Sequence, residues 1–325
     1  YKIYVPPEKF LASRTLPADT EKLWSWLENR AEKVDAAIIS TDALLYGGLV
    51  ASRTHHLDPA VLEKRIKRLR DLHLDTNIRF FAFSTLMRTP RESYGNVEPD
   101  YYSHVGPAIY RYSQLSDKSD VRAETLLEDF ELGAFERNLA KEHLQDWLDR
   151  RNKNMAVNQQ LAILARMGRF DYFAIGKDDN APYSHTHMEA RKISLGNAAV
   201  SSASFQVLPG VDQLGLLLLT RAANQLENHS PKVYQMYVEG EGPKTTPQYS
   251  DLPLGISVPE QIIAAGGTVV NSPANADVIL AINTPADGIM YDSTDSSNQY
   301  FASFSNKRYI DHLGAMLRSG ANISL

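Results

Sequence analysis

Phe170-Asp171-Tyr172-Phe173-Ala174-Ile175-Gly176-Lys177-Asp178-Asp179 is an apolar run of strand length that stops at two carboxylates. Its length and unbroken apolar character predict a buried strand of a parallel sheet. The same form recurs on either side of it. Residues 34–41 run into Asp42, residues 205–210 into Asp212, and residues 232–238 into Glu239 and Glu241. Segments of helical period separate these runs, and β and α in alternation argue for a mainly parallel sheet. In such folds the carboxyl ends of neighbouring strands line one rim, where ligands bind. The spacing therefore predicts a cleft on which acids far apart in sequence converge.

Working outward, residues 78–86 form another predicted strand, and Met87-Arg88 after it sets Arg88 on the same rim. Asp19 is a predicted cap for a helix carrying Leu23, Trp24 and Leu27. Asp58-Pro59 opens the clearest helix, with Leu62, Ile66 and Leu69 at core spacing. The tyrosine- and proline-rich stretch 87–118 is expected to be irregular. Residues 121–167 read as helical with a break near Asn152 to Asn154. The fold class expected is α/β, and the seven or eight strands suggest an incomplete (β/α) barrel in preference to an open doubly wound sheet. A main α/β domain is expected over residues 1–241, a linker or long loop over 242–257, and an α/β continuation, itself truncated, over 258–325.

Composition narrows the function classes. The 325 residues suffice for one large domain or two ordinary ones, and 43% hydrophobic with 22% charged residues is the balance of a globular chain. Nothing approaches the ~20-residue apolar stretch of a membrane-spanning helix. A net charge of −5, with no basic arm and no nucleic-acid motif, argues against a polyanion partner. The basic run 64–70 lies on an amphipathic helix and reads as a solvated face. With no cysteine, disulfides, thiolate nucleophiles and cysteine-ligated metals are excluded. No phosphate loop, dinucleotide fingerprint or nucleophile elbow is present, so no nucleotide cofactor and no serine nucleophile are expected. Cellular compartment and oligomeric state stay open. The chain opens at Tyr1 without methionine and ends at Leu325 without a natural-looking stop, so it is expected to be a piece of a longer protein.

The leading candidates for chemistry are Asp178 and Asp179. Adjacent carboxylates raise each other's pKa, so one can remain a general acid near neutrality. Both can face one ligand only if the strand has ended, which Asn180 and Pro182 allow; the plainer reading is a loop pair bridged to Lys177 or Arg191. Asp42 precedes Tyr46-Gly47-Gly48 and Arg53, where two glycines permit positive φ and the arginine offers a planar fork. Asp212 has the same form but suits a helix cap equally. Glu239 is less specific. Tyr183, beyond the aspartate pair, and Tyr94, Tyr101, Tyr102, Tyr110 and Tyr112, beyond Arg88, suit stacking on sugars or packing of the segment that carries them. His185 and His187 form a His-x-His that could join Asp42 and Asp178 around a metal, although solvated histidines at a helix start explain them as well. The site expected is thus metal-free.

The stretches 40–53, Asp178-Asp179-Asn180-Ala181-Pro182-Tyr183 and Pro209-Gly210-Val211-Asp212-Gln213 together resemble a bacterial family catalogued as domain of unknown function 4127. The resemblance implies a preceding strand with a Pro-x-Asp-x-Arg-Pro motif and a continuation past Leu325. It also implies glutamate where Gln213 stands. It names no reaction. An aspartate rim with arginines and tyrosines suggests a glycoside hydrolase-like acid/base hydrolase on a carbohydrate. The aspartate pair is similar to that of hexosaminidases using the substrate's acetamido group, with Asp178 polarising that group and Asp179 protonating the leaving oxygen. A metal-dependent hydrolase and a non-catalytic carbohydrate or small-molecule binding protein are the competing expectations.

Overall fold

Asp19 accepts a hydrogen bond from the Lys22 amide and starts helix α1 (Thr20–Ala31), which buries Leu23, Trp24 and Leu27. Strand β1 (Ala36–Ser40) follows, then the short helices α2 (Thr41–Leu45) and α3 (Leu49–Thr54). Asp58 caps α4 (Pro59–Asp75) through the Ala60 amide at 2.8 Å, and Leu62, Ile66 and Leu69 turn inward as their spacing predicts. Next come β2 (Arg79–Leu86), three helices α5 (Tyr102–Asp120), α6 (Leu126–Asn138) and α7 (Lys141–Arg166), β3 (Tyr172–Lys177), α8 (His185–Gly196) and β4 (Phe205–Pro209). The computed structural model describes residues 1–75, 78–92, 96–139, 141–178, 181–247, 250–290 and 303–324. Asp179 and Tyr94 lie outside the described residues.

The chain divides into two units, Tyr1–Gly215 and Leu216–Leu325. In the first, the strands pair in parallel in the order β1-β2-β3-β4. Sequential order with right-handed crossovers sends the connecting helices to one face. Ala37, Ile39, Phe80, Ala82, Phe173 and Ile175 on that face share a core with residues of α1, α4, α7 and α8. This is the arrangement of part of a barrel, yet no closed barrel forms. Every residue of β3 is buried, which accounts for its unbroken apolar run. Beside it, a side chain on Gly176 would meet the Gly210 carbonyl oxygen at 2.6 Å and Leu214 at 2.7 Å.

The second unit contains most of α9 (Leu214–Leu226), then β5 (Lys232–Tyr237), α10 (Leu254–Ala264), β6 (Thr268–Val270), β7 (Val278–Ile282), α11 (Phe304–Arg318) and β8 (Ile323–Ser324). Its parallel order is β6-β5-β7-β8, so crossovers run both ways from β5 in the doubly wound manner. Val238, Ala281, Tyr309 and Leu313 form its buried cluster. Among the described residues no helix is long and apolar enough to cross a membrane.

Three local expectations are corrected. The stretch 87–118 is not irregular throughout, because 102–120 is helical despite Gly106 and Pro107. Burial of Tyr102, Ile109 and Leu115 outweighs the weak propensity, and Gly106 leaves room for the Tyr102 ring. The helical break falls between α6 and α7, not at Asn152 to Asn154. Asn154 and Asn158 are buried inside α7 and spend their amides on backbone carbonyls of neighbouring segments. Finally, α10 begins at Leu254, within the stretch read as linker.

Gly176→Ala is expected to destabilise the chain by roughly 1–3 kcal/mol, the usual cost of overpacking. Chemical denaturation measures it, and an unchanged midpoint would mean that the β3 and β4 ends part easily.

Candidate functional site

Parallel pairing aligns the carboxyl ends of β1 to β4, with Leu86 beside Lys177 and Lys177 beside Pro209. The residues that follow each strand therefore begin on one rim. After β1, Thr41 anchors to the Phe83 carbonyl at 3.0 Å, and Asp42 enters the first turn of α2. The Asp42 carbonyl accepts the amides of Tyr46, Gly47 and Gly48. Gly47 and Gly48 take φ of 96° and 127°, a conformation that favours glycine. That turn reverses the chain into α3, whose Arg53 is buried at 4% exposure.

Arg53 donates to Asp178 at the end of β3 and lies 3.5 Å from Glu98. Arg88, beyond β2, donates to the same Glu98 oxygen at 2.6 Å. Asp42, 2% exposed, accepts from Thr85 of β2 through Oδ2. Its Oδ1 is buried without a hydrogen-bond partner among the described residues. Burial raises the Asp42 pKa from 3.8 to about 7, with the nearby Asp178 charge adding to the shift and the Thr85 hydroxyl opposing it. Burial likewise raises Glu98, against the pull of Arg53 and Arg88.

Helix α7 braces this rim from one side. Arg150 donates to the His55 carbonyl, Arg151 to the Arg88 carbonyl and Thr89, Asn154 to the Ser52 carbonyl, and Asn158 to the Thr85 carbonyl. Arg151 is itself paired with Glu189 of α8. His55 stays neutral, its pKa lowered to about 4 by burial. It contacts Asn154 through Nε2 and accepts the Leu57 amide through Nδ1. Tyr46 stacks on His55 with centroids 4.9 Å apart. Burial, helped by Asp42, pushes its hydroxyl well above the usual range. Both rings line a cleft of about 440 Å³ whose other walls include Leu16, Pro17, Val50 and Ala51. The lining of this cleft includes Tyr46 but neither Asp42 nor Asp178.

Of the residues singled out in the sequence, Asp42, Arg53, Asp178 and Arg88 come together, with Tyr46 adjoining them. Tyr183 is half-buried, with the Lys118 ammonium 5.4 Å above its ring. Asp212 is exposed on the turn after β4. Glu239 belongs to the second unit, where it is exposed and pairs with Arg308 at 3.0 Å. Asp179 and Tyr94 fall outside the described residues.

The tyrosines beyond Arg88 pack their own segment. Tyr102 donates to the Pro90 carbonyl, Tyr101 to Asp146, and Tyr112 stacks on His185. His185 and His187 diverge. His185 is buried against Trp147 and Ser113, and His187 bonds to Asp117 at 2.9 Å. Among the described residues no three acidic or histidine side chains group as metal ligands.

Thr85, Glu98 and Asn158 were not evident beforehand. Ser84-Thr85, a hydroxyl pair inside an apolar strand, was an available signal. Glu98 offered none, since it follows a stretch without periodicity.

Comparison with known proteins adds one finding. A family model described as protein of unknown function (DUF4127) matches residues 1–325. No curated protein and no solved structure matches the chain.

Because Asp42 is protonated in the fold up to about pH 7 but only to 3.8 when exposed, it favours the folded state in acid. The contribution is complete below 3.8 and disappears as pH rises through about 7. Asp42→Asn should therefore flatten the fall of unfolding free energy over this window, a term on the order of 4 kcal/mol. Denaturant titrations across that range measure the slope; an identical slope in the variant would refute proton retention at Asp42.

Proposed function

The chain belongs to the family described as protein of unknown function (DUF4127), and from the geometry of its rim we propose acid–base hydrolysis of a carbohydrate-like small molecule. The carrying observation is the opposed setting of two carboxylates. Asp42 is buried and holds its proton toward neutrality, whereas Asp178 is ion-paired with Arg53. Carboxyl groups whose environments differ in this way divide naturally into a proton donor and an anionic partner.

In this reading Asp42 delivers its proton to the leaving oxygen as the bond from carbon to that oxygen breaks. Asp178 faces the positive charge that develops on carbon, or takes a proton from the attacking water. The role that sequence similarity to hexosaminidases gives Asp179 as proton donor passes to Asp42. Arg88, with its side chain 26% exposed, keeps donors for a ligand's oxygens. Tyr46 and Tyr183 provide aromatic surface of the kind sugars stack on.

A second reading, a carbohydrate or small-molecule binding protein without turnover, is favoured by how closed the cluster is. Arg53 and Glu98 side chains are 4% and 3% exposed. A panel of aryl glycosides including N-acetylhexosaminides, followed for released phenol and by calorimetry, separates the two. Hydrolysis predicts turnover that Asp42→Asn lowers by about 10²–10⁴-fold with affinity nearly unchanged. Heat of binding without phenol release supports the binder, and neither signal across the panel rejects the carbohydrate reading.

A further inference from the structure

Helix α6 is attached by its charged side. Thr125 caps it in a reciprocal box with Glu128. Glu128 pairs with Lys118 and Glu131 with Arg111, both on α5. None of its 13 residues is buried. Facing away from α5, Leu126 and Leu127 are each 81% exposed and Phe130 is 74% exposed. With 3.6 residues per turn, Leu126, Leu127, Phe130, Gly133, Ala134 and Arg137 fall on one stripe. Half-exposed ion pairs contribute little, whereas burial of leucine and phenylalanine is the main drive of association. A helix docked through carboxylates with its leucines outward has its larger stabilising surface unused.

We propose that this stripe is an interface between two copies of the chain, with the α6 helices antiparallel across a twofold axis near Gly133. The charge pattern selects this occupant. Asp129, four residues before Gly133, and Arg137, four after it, are both exposed. Antiparallel packing sets Asp129 of each copy against Arg137 of the other, the self-complementarity of an isologous contact. Gly133 at the crossing lets the backbones approach, with only the Arg137 side chain lying over it. The three large apolar side chains present on the order of 400 Å² per copy, about half of one side of a standard interface. The flanks of α6 complete an interface at the small end of the specific range, so micromolar association is expected.

Sedimentation velocity on the chain, from about 1 to 200 µM, tests this in the range where such interfaces form. A concentration-dependent dimer is expected, weakened at least about tenfold by Phe130→Asp. Asp129→Arg and Arg137→Asp should each weaken it, and the two together in one chain should restore it. Circular dichroism of each variant should be unchanged, because the altered side chains are exposed. Monomer at every concentration, a dimer indifferent to Phe130→Asp, or charge reversals without mutual rescue would overturn the proposal. A stripe covered by another segment or by a different protein gives the first of these results.

Discussion

The Arg53 guanidinium, buried between Asp178 and Glu98, is the contact on which the rim depends. It joins the segment after β1 to the end of β3, and Glu98 carries the link on to Arg88 beyond β2. Such a cluster contributes little net stability, because removing its charges from water costs as much as their attraction returns. Its effect is on geometry. Loss of one member leaves the others buried and uncompensated, so the three chain segments are held in a single arrangement. It also explains the proton on Asp42. The nearby cation is already committed to Asp178 and Glu98, and a third carboxylate in the same dry volume is favoured as the neutral acid.

Much of this was legible in the sequence. Runs of strand length that end in acids located the rim, and Asp42, Arg53, Arg88 and Asp178 meet there because parallel pairing fixes which end of each strand they follow. The Tyr46-Gly47-Gly48 turn was readable because positive φ has few residue solutions. What was not legible depended on packing between distant segments. The polar residues of α7 looked like a weak point in a helix, since local propensity cannot reveal that a buried asparagine has carbonyls waiting for it. Pro107 and five tyrosines suggested a loop for the same reason. The partner of Arg53 across the insertion, Glu98, is set by tertiary approach alone.

The two sheets show how strand order follows from connection direction. Sequential order with all helices on one face gives the first unit its barrel-like layer, with β3 buried along its whole length. Reversal at β5 gives the second unit the doubly wound pattern from similar runs of sequence. Apolar runs identify parallel strands in both, but they do not distinguish the orders, because a buried strand reads the same beside either neighbour.

Arg150, Arg151, Asn154 and Asn158 recur on one side of α7 at the spacing of a helical turn, and each holds a carbonyl in the segments that follow β1 or β2. The helix thus works as a ruler whose graduations must match the strand ends. One residue inserted between Arg150 and Asn158 would rotate everything beyond it by about 100° and detach the later grips from the earlier ones. Length variation in relatives of this chain should accumulate in the connections around α5 and α6, and stop short of these nine positions of α7.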